Sequence, residues 1–253
     1  VSEIYIMQLI ISRIKTVLKL GLLEFVSVII YRLLVRLSLH PVCTLKGNIP
    51  SSPFFAKSRL PESGLSAVLT WDTSASLFSY LNVLIDEPPK WLNNPITGDR
   101  VASKLEPWWK ISDFDDSVGD IKLIWEQSRM NWVIAFAQRA RNGDERSLKR
   151  LNSWLSDWIE SNPPYLGPNW KCGQEASIRV MHLCGAALIL GQERDSLLGL
   201  QELIRLHLRR IAPTIHYAIA QNNNHGTSEA SALFIGGSWL VASGAPDGEK
   251  YEK

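Results

Sequence analysis

The second half of the chain consists of amphipathic segments separated by short breaks of proline, glycine and asparagine. Within each segment, apolar side chains recur at the three- and four-residue spacing of one helix face. No sustained period-two pattern, which would indicate a large sheet, occurs in this half. The predicted helices cover residues 120–141, 147–159, 174–190, 197–220 and 229–242. Because short breaks bring consecutive helices back against each other, the sequence predicts an all-α fold of antiparallel helical hairpins.

Proline ends one predicted helix and interrupts another. Pro163 and Pro164 follow the helix predicted over residues 147–159. Proline lacks a backbone N–H group and biases the preceding residue towards extended geometry, so the helix must end there. Pro213 lies inside the segment 197–220, which we therefore expect to be kinked or split.

Composition divides the whole chain into four parts. They are an amphipathic helix over residues 1–40, a connector over 41–99, a helical domain over 100–243 and a tail over 244–253. Four prolines between positions 41 and 61 make the start of the connector extended. Further along, the short apolar segments 65–72 and 75–84 indicate strands or a hairpin arm.

The first 50 residues are basic, with six lysines and arginines against two glutamates. In a helix, the basic residues Lys15, Lys19, Arg32 and Arg36 fall on one stripe. Two interpretations stay open. The helix lies in the plane of an anionic membrane surface through residues 4–39, or it packs on the protein with its basic stripe in water.

A membrane-spanning helix is not expected here, because the uncharged runs are shorter than the roughly 20 apolar residues that a span needs. A cleavable signal peptide is not expected either, since charges interrupt the apolar region and no small-residue cleavage site follows. We therefore expect a cytoplasmic or membrane-associated protein rather than a periplasmic one.

Composition also bears on the class of function. A net charge of +2 over 253 residues provides no overall field for nucleic acid. Cysteine and histidine spacing matches no metal motif, so neither a metal nor a cofactor is expected. Cys172 and Cys184 would be about 18 Å apart on one helix, too far for a disulfide. The ten tryptophans either fill the core or stack on flat ligands such as sugar rings.

Two breaks concentrate polar side chains directly before a predicted helix: residues 162–170 and residues 221–229. The second holds a glutamine, three asparagines and His225. Backbone N–H groups at a helix N-terminus favour an anion, and asparagine side chains beside them can donate to a carboxylate. The histidine can accept or donate a proton near neutral pH. The alternative is that the asparagines only turn the chain and cap the helix.

Three segments together resemble a known family. They are DIKLIWEQSR at residues 120–129, the NPP, GPNW and EASIR motifs within residues 162–179, and NNNHGTSEA at residues 222–230. In this order they resemble the N-terminal helical domain of the heparinase II/III family of polysaccharide lyases, over about residues 100–242. The resemblance implies an incomplete (α/α) toroid followed by an antiparallel β-sandwich. It also implies β-elimination on an acidic, uronate-containing polysaccharide.

The resemblance further implies roles for individual residues. Asn224 would hold the uronate carboxylate, and His225 would neutralise it or act as the base that removes the C5 proton. Stabilisation of this carboxylate is needed because the C5 proton is poorly acidic while the carboxylate is charged. The remaining positions are expected to bind the substrate or brace the cleft: Asn223, Trp170, Glu175, Arg179 and Glu229.

Some of these residues have a structural alternative. Glu175 and Arg179 are four residues apart on a predicted helix, so they can form an intrahelical ion pair. Glu126 and Arg129, three residues apart, can do the same. Trp170 follows a Gly-Pro turn, and we expect its side chain in the cleft.

The sequence departs from the family after the Asn-His pair. Family members place a catalytic tyrosine several dozen residues further on, whereas only Tyr251 follows His225 here. We therefore expect a truncated lyase domain without the β-sandwich. Its exposed toroid faces would associate with a missing C-terminal half or with each other.

Two other classes of function stay open. One is a non-catalytic module that binds acidic glycans or takes part in polysaccharide assembly, which the absent tyrosine favours. The other is a glycoside hydrolase on a related helical toroid, although no spacing singles out its two carboxylates.

Overall fold

The computed structural model describes Tyr5, Met7 and residues 21–58, 74–84, 86–102, 105–115 and 117–252. These residues are mostly helical, as predicted. The α-helices are α1 (Leu22–Arg36), α2 (Lys122–Trp125), α3 (Asn131–Arg141), α4 (Glu145–Ser161), α5 (Gly173–Ile189), α6 (Leu198–Ile211), α7 (Ile215–Ala220) and α8 (Asn224–Ala242). Short 3₁₀ helices lie at Pro41–Thr44, Trp108–Lys110, Glu126–Arg129, Pro168–Trp170, Ala212–Thr214 and Pro246–Tyr251. Two antiparallel pairs join β1 (Ser74–Leu77) with β2 (Leu81–Leu84) and β3 (Phe114–Asp115) with β4 (Gly119–Asp120).

The strongest helical patterns predict the structure well. The helices predicted over residues 147–159 and 174–190 are confirmed as α4 and α5, each with ends that differ by at most two residues. The segment 197–220 is split as expected, because Pro213 lies in the 3₁₀ turn between α6 and α7. The hairpin arm predicted over residues 75–84 is confirmed by β1 and β2, while the segment 65–72 lies outside the described residues.

The helix predicted over residues 120–141 is broken at Met130. This residue is fully buried and has a left-handed backbone, with φ at 63°. The carbonyl of Arg129 accepts a hydrogen bond of 2.7 Å from Nδ1 of His182 in α5. A contact from a distant helix thus interrupts a locally helical pattern, and α2 and α3 become separate elements.

The single helix predicted over residues 1–40 is also wrong. Gly21 has φ at 90°, a conformation that glycine adopts at little cost, and α1 begins only after it. Tyr5 and Met7, on the other side of this break, are helical as well. The connector then starts with the 3₁₀ turn Pro41–Thr44.

The last helix begins earlier than predicted, at Asn224 rather than at residue 229. Asn223 caps it, since its side-chain oxygen accepts a hydrogen bond of 2.9 Å from the backbone N–H of His225. His225 therefore lies in the first turn of α8 rather than in a loop. Glu229 follows one turn later on the same side of the helix.

The core is built around α5, which packs against α3, α6 and α8. Eight of the ten tryptophans are buried, so the core accounts for most of the tryptophan content. Trp158 and Trp170 lie at its centre, with ring centroids 5.8 Å apart. Trp132 and Trp154 form a second contact at 5.3 Å.

The connector and the tail both pack on the helices. The side-chain amide of Asn152 in α4 binds the connector backbone: Oδ1 accepts from the N–H groups of Phe54 (2.7 Å) and Phe55 (2.9 Å), and Nδ2 donates to the Phe55 carbonyl. Both phenylalanines are buried. The tail forms the 3₁₀ helix Pro246–Tyr251 against α8, with Tyr251 buried.

We expect Asn152→Ala to lower the free energy of unfolding by about 2–3 kcal/mol, because two buried backbone N–H groups lose their acceptor. Urea denaturation measures the change. Ser153→Ala is the matched control, since this neighbouring hydroxyl is exposed and donates to the carbonyl of Arg150 within the same helix. Equal midpoints for the two variants would show that Asn152 does not anchor the connector.

Candidate functional site

A cleft of about 1080 Å³ opens between α1 and the C-terminal helices. Its other walls come from the turn Trp108–Lys110, the β3–β4 hairpin, α2, and the first residues of α5 and α8. Residues from both ends of the described chain therefore meet here. All three segments that carry the family resemblance contribute to the lining, through Trp125, Glu175 and His225 among others.

Aromatic side chains form one wall of the cleft. The rings of Tyr31 in α1 and Tyr217 in α7 stack with their centroids 3.9 Å apart and their planes 19° from parallel. His40 packs edge-on against Tyr31 at 5.1 Å. Trp109 is partly exposed and donates its indole N–H to Oγ of Ser38. Of these side chains, Tyr31, Trp109 and Tyr217 line the cleft, so this wall offers aromatic surface with polar atoms to a ligand.

Tyr31 is kept in its neutral form. Burial raises the pKa of Tyr31 to about 12, and the positive charge of Arg210 offsets part of this increase. Tyr217 and Glu229 also raise the pKa of Tyr31, because a negative charge on either side chain disfavours a second one on the phenol. At neutral pH the side chain is therefore a protonated phenol, a weak acid that can donate a proton to a strongly basic oxygen.

His225 and Glu229 form a pair in the cleft, with Nδ1 of the histidine 3.6 Å from Oε1 of the glutamate. Glu229 is buried, and its Oε2 has no hydrogen-bond partner among the described residues. Its carboxylate lies against Gly173, the first residue of α5, where a Cβ atom would be 2.5 Å from Oε1. The glycine makes this approach possible, and the N-terminal end of the helix dipole favours the negative charge.

Arg129 joins the predicted acidic residues. It donates from Nε and Nη2 to the two oxygens of Glu175, each at 2.9 Å, and from Nη1 to Glu126. The expected pair of Glu126 with Arg129 therefore forms. The expected pair of Glu175 with Arg179 does not, because Glu175 pairs with Arg129 from another part of the chain.

The cleft is lined by seven lysines and arginines and by four acidic side chains. Two of the acids have lysine partners at the β3–β4 hairpin: Asp113 with Lys171 at 2.7 Å, and Asp120 with Lys122 at 3.4 Å. Among the described residues, no ion pair involves the exposed side chains Arg32, Arg36 and Lys110. The cleft thus carries excess positive charge, which favours an anionic ligand.

Arg210 forms part of the cleft wall although it is almost fully buried. Its guanidinium lies 3.9 Å above the ring centroid of Trp108. It donates from Nε to the carbonyl of Trp170 and from Nη2 to that of Lys171, at 2.8 and 2.6 Å. These bonds fix the chain just before α5, from which Glu175 reaches the cleft.

The expected cleft position of Trp170 is wrong. Its side chain is completely buried, and its indole N–H donates to the carbonyl of Asn162 inside the core. Arg179 is also completely buried, with Nε donating to Nε2 of His207 and Nη2 to the carbonyl of Asn169. Both residues support the cleft wall from behind and do not line it.

The two asparagines are also outside the lining. Asn223 is exposed and serves as the helix cap, and Asn224 is exposed in the first turn of α8. Of the predicted site residues, the structure brings together His225, Glu229 and Glu175.

Four further lining residues have no local signal in the sequence: Tyr31, Trp109, Arg210 and Tyr217. Each lies in or beside a segment that resembles an ordinary amphipathic helix or turn. Their shared location depends on the way distant segments pack. Only an excess of basic and aromatic residues near these positions could have drawn attention to them.

Comparison with protein-family models, with curated proteins and with solved structures finds no match to this chain. Among the described residues, no group of three or more histidine, cysteine, aspartate and glutamate side chains could hold a metal ion. Helices that are long and apolar enough to cross a membrane are absent from the same part of the chain.

The buried histidine predicts a specific pH dependence. Burial and the neighbouring charge of Arg179 lower the pKa of His207 to about 3. The unfolded chain takes up this proton below about pH 6.5, whereas the folded protein resists it until about pH 3. The free energy of unfolding should therefore decrease as the pH is lowered from about 6.5 to about 3, by up to about 1.4 kcal/mol per pH unit.

His207→Gln should make this decline shallower, because glutamine can still accept from Arg179 and donate to the carbonyl of Leu203 but does not titrate. Urea denaturation at pH 7 and at pH 4.5 measures the difference. His216→Gln, at an exposed histidine of α7, should behave as the unmodified protein. Parallel pH profiles for His207→Gln and the unmodified protein would contradict the assignment.

Proposed function

We propose that this cleft binds an acidic, uronate-containing polysaccharide and that the protein is a polysaccharide lyase domain acting by β-elimination. The observation that carries the proposal is the convergence of the three family-like segments on one basic, aromatic-walled cleft. These segments are far apart in the sequence, so a shared cleft is not a consequence of their spacing. The volume of about 1080 Å³ slightly exceeds the roughly 300–1,000 Å³ of sites for small ligands, in keeping with an oligomeric one.

We also infer that the helical region is part of an incomplete (α/α) toroid of antiparallel hairpins. Short connections between consecutive helices and the central position of α5 support this arrangement. Large apolar side chains stay exposed on the last helices, at Ile219, Phe234 and Ile235. In a toroid, further helical hairpins or a second copy would cover such surfaces.

The charges in the cleft match the proposed substrate. Each uronate unit carries a carboxylate, and Arg32, Arg36 and Lys110 are cations without an ion-pair partner among the described residues. The stacked rings of Tyr31 and Tyr217 offer a flat surface beside them. Together these features would hold a chain of charged sugars along the cleft.

The side chains present also suit the chemistry of elimination. His225 takes the proton from C5, and the electron pair of the C–H bond forms the C4–C5 double bond as the C4–O bond breaks. The leaving oxygen then needs a proton, which the neutral phenol of Tyr31 can donate. Glu229, beside His225, orients the imidazole and stabilises its protonated form.

We expect His225→Ala to reduce turnover by about 10²-fold, because the base of the elimination is lost. The ultraviolet absorbance of the new double bond measures the rate on acidic glycans. His216→Ala replaces an exposed histidine outside the lining and should leave the rate unchanged. If no acidic glycan yields this absorbance while a control lyase responds, the lyase proposal fails.

Tyr31→Phe should lower kcat by about 10²-fold or more while KM changes little, because the ring keeps its stacking on Tyr217 and only the donated proton is lost. Steady-state kinetics separate the two parameters. Tyr80→Phe, at a strongly exposed tyrosine in the β1–β2 turn, is the control. Loss of turnover in Tyr217→Phe alone would assign the donor to Tyr217 instead.

One observation favours the non-catalytic alternative, a module that only binds acidic glycans. Asn224, which the resemblance makes the holder of the carboxylate, is exposed and outside the lining. Binding of a uronate oligosaccharide without turnover would support this alternative. If Asn224→Ala reduces turnover as strongly as His225→Ala, the asparagine has its implied role and the alternative loses its support.

A further inference from the structure

The helix α1 exposes an unusual amount of apolar surface. Among its residues none is buried, so it lies on the protein along one edge only. Six of its large apolar side chains are 40–82% exposed, and the same surface continues just beyond its C-terminal end. They are Leu22, Leu23, Val26, Ile29, Ile30 and Leu33, followed by Leu37.

These side chains form one stripe, here called the α1 stripe. At 100° per residue they fall within about a third of the helix circumference. Tyr31 and Val35 lie on the opposite side, where they face the cleft and the core. The α1 stripe is therefore not a poorly packed part of the core, because the helix has a separate inward side.

Charged side chains flank the α1 stripe unequally. Arg32 and Arg36 lie along one of its borders, are exposed and form no ion pair with the described residues. Glu24, the one acidic residue of the helix, lies on the far side by the same geometry. An apolar stripe bordered by arginines matches the interface of an anionic membrane, where acyl chains lie beneath negatively charged headgroups.

We propose that α1 docks in the plane of an anionic lipid membrane, with the α1 stripe in the acyl boundary and Arg32 and Arg36 at the headgroups. Pairing with the α1 stripe of a second copy fits the surface less well, because it would bring Arg32 and Arg36 of both copies together while Glu24, the acidic residue of the helix, lies on the other side. The stacking of Tyr31 on Tyr217 stays in place, since it uses the inward side of the helix.

Docking would set the position of the cleft. Arg32 and Arg36 line the cleft as well as border the α1 stripe. A membrane in contact with α1 would therefore lie beside the mouth of the cleft. The ligand of the cleft would be taken from the layer of solution next to the lipid headgroups.

Co-sedimentation of the full chain with lipid vesicles tests the proposal, and no glycan is present, so the outcome is independent of the proposed function. We expect binding to vesicles of phosphatidylcholine with phosphatidylglycerol, weaker binding to phosphatidylcholine alone, and a decrease as salt is raised. The double variant Ile30→Glu, Leu33→Glu should partition at least tenfold less, because two apolar side chains no longer enter the membrane.

Two further variants sharpen the test. Arg32→Ala with Arg36→Ala should weaken binding to the anionic vesicles by roughly fivefold for each arginine and leave binding to phosphatidylcholine alone unchanged. Phe234→Glu, at a similarly exposed apolar side chain of α8, is the matched control and should sediment as the unmodified protein does. Thermal unfolding of every variant verifies that the fold is kept.

Several results would overturn the proposal. The proposal fails if the protein sediments with neither kind of vesicle. It also fails if binding is unchanged in both pairs of α1 substitutions. Light scattering tests whether a second copy of the chain binds the α1 stripe instead. If the unmodified chain is a dimer that Ile30→Glu with Leu33→Glu makes monomeric, and vesicles do not bind, a second copy covers the α1 stripe.

Discussion

The buried guanidinium of Arg179 holds together the parts of the molecule on which the cleft is built. It lies beside the rings of Trp158 and Trp170, 5.1 and 5.8 Å from their centroids, and it donates to Nε2 of His207 and to the carbonyl of Asn169. These contacts join α4, α5, α6 and the proline-rich break before α5. A buried charge is costly unless it is hydrogen-bonded, so this cluster permits few other arrangements of the same helices.

A second arginine connects the buried cluster to the cleft. Arg210 is buried and donates to the carbonyls of Trp170 and Lys171. Its guanidinium lies over the ring of Trp108 at the cleft wall. The two arginines thus bind the carbonyls of three consecutive residues, 169–171, which lead directly into α5. Trp170 therefore affects the cleft through the position of its backbone, although its side chain is buried and does not line the cleft.

Sequence patterns predict the elements whose cause is local. The apolar periodicity of α4 and α5 and the proline between α6 and α7 are enough, because each acts on its own segment. The break at Met130 could not be predicted, because it depends on a bond from His182, which lies on another helix. The earlier start of α8 had a local signal, the cap at Asn223, which the functional interpretation of the asparagines obscured.

The candidate site divides in the same way. His225, Glu229 and Glu175 reach the cleft as expected, since they lie at helix starts marked by polar motifs. The expected cleft position of Trp170 is wrong because a Gly-Pro turn suggests a surface position, whereas its indole N–H donates to a carbonyl inside the core. The role of Tyr31 could not be foreseen, because only tertiary packing brings it to the cleft.

The stack of Tyr31 on Tyr217 has a consequence for how the protein is made. The two rings belong to opposite ends of the chain, so α1 leaves the ribosome long before the helix that completes its contact exists. At about 5–20 residues per second, the delay is on the order of 10–40 s. During that time the inward side of α1 lacks its contact with α7, and a chaperone or a lipid surface could hold the nascent helix until synthesis reaches α7.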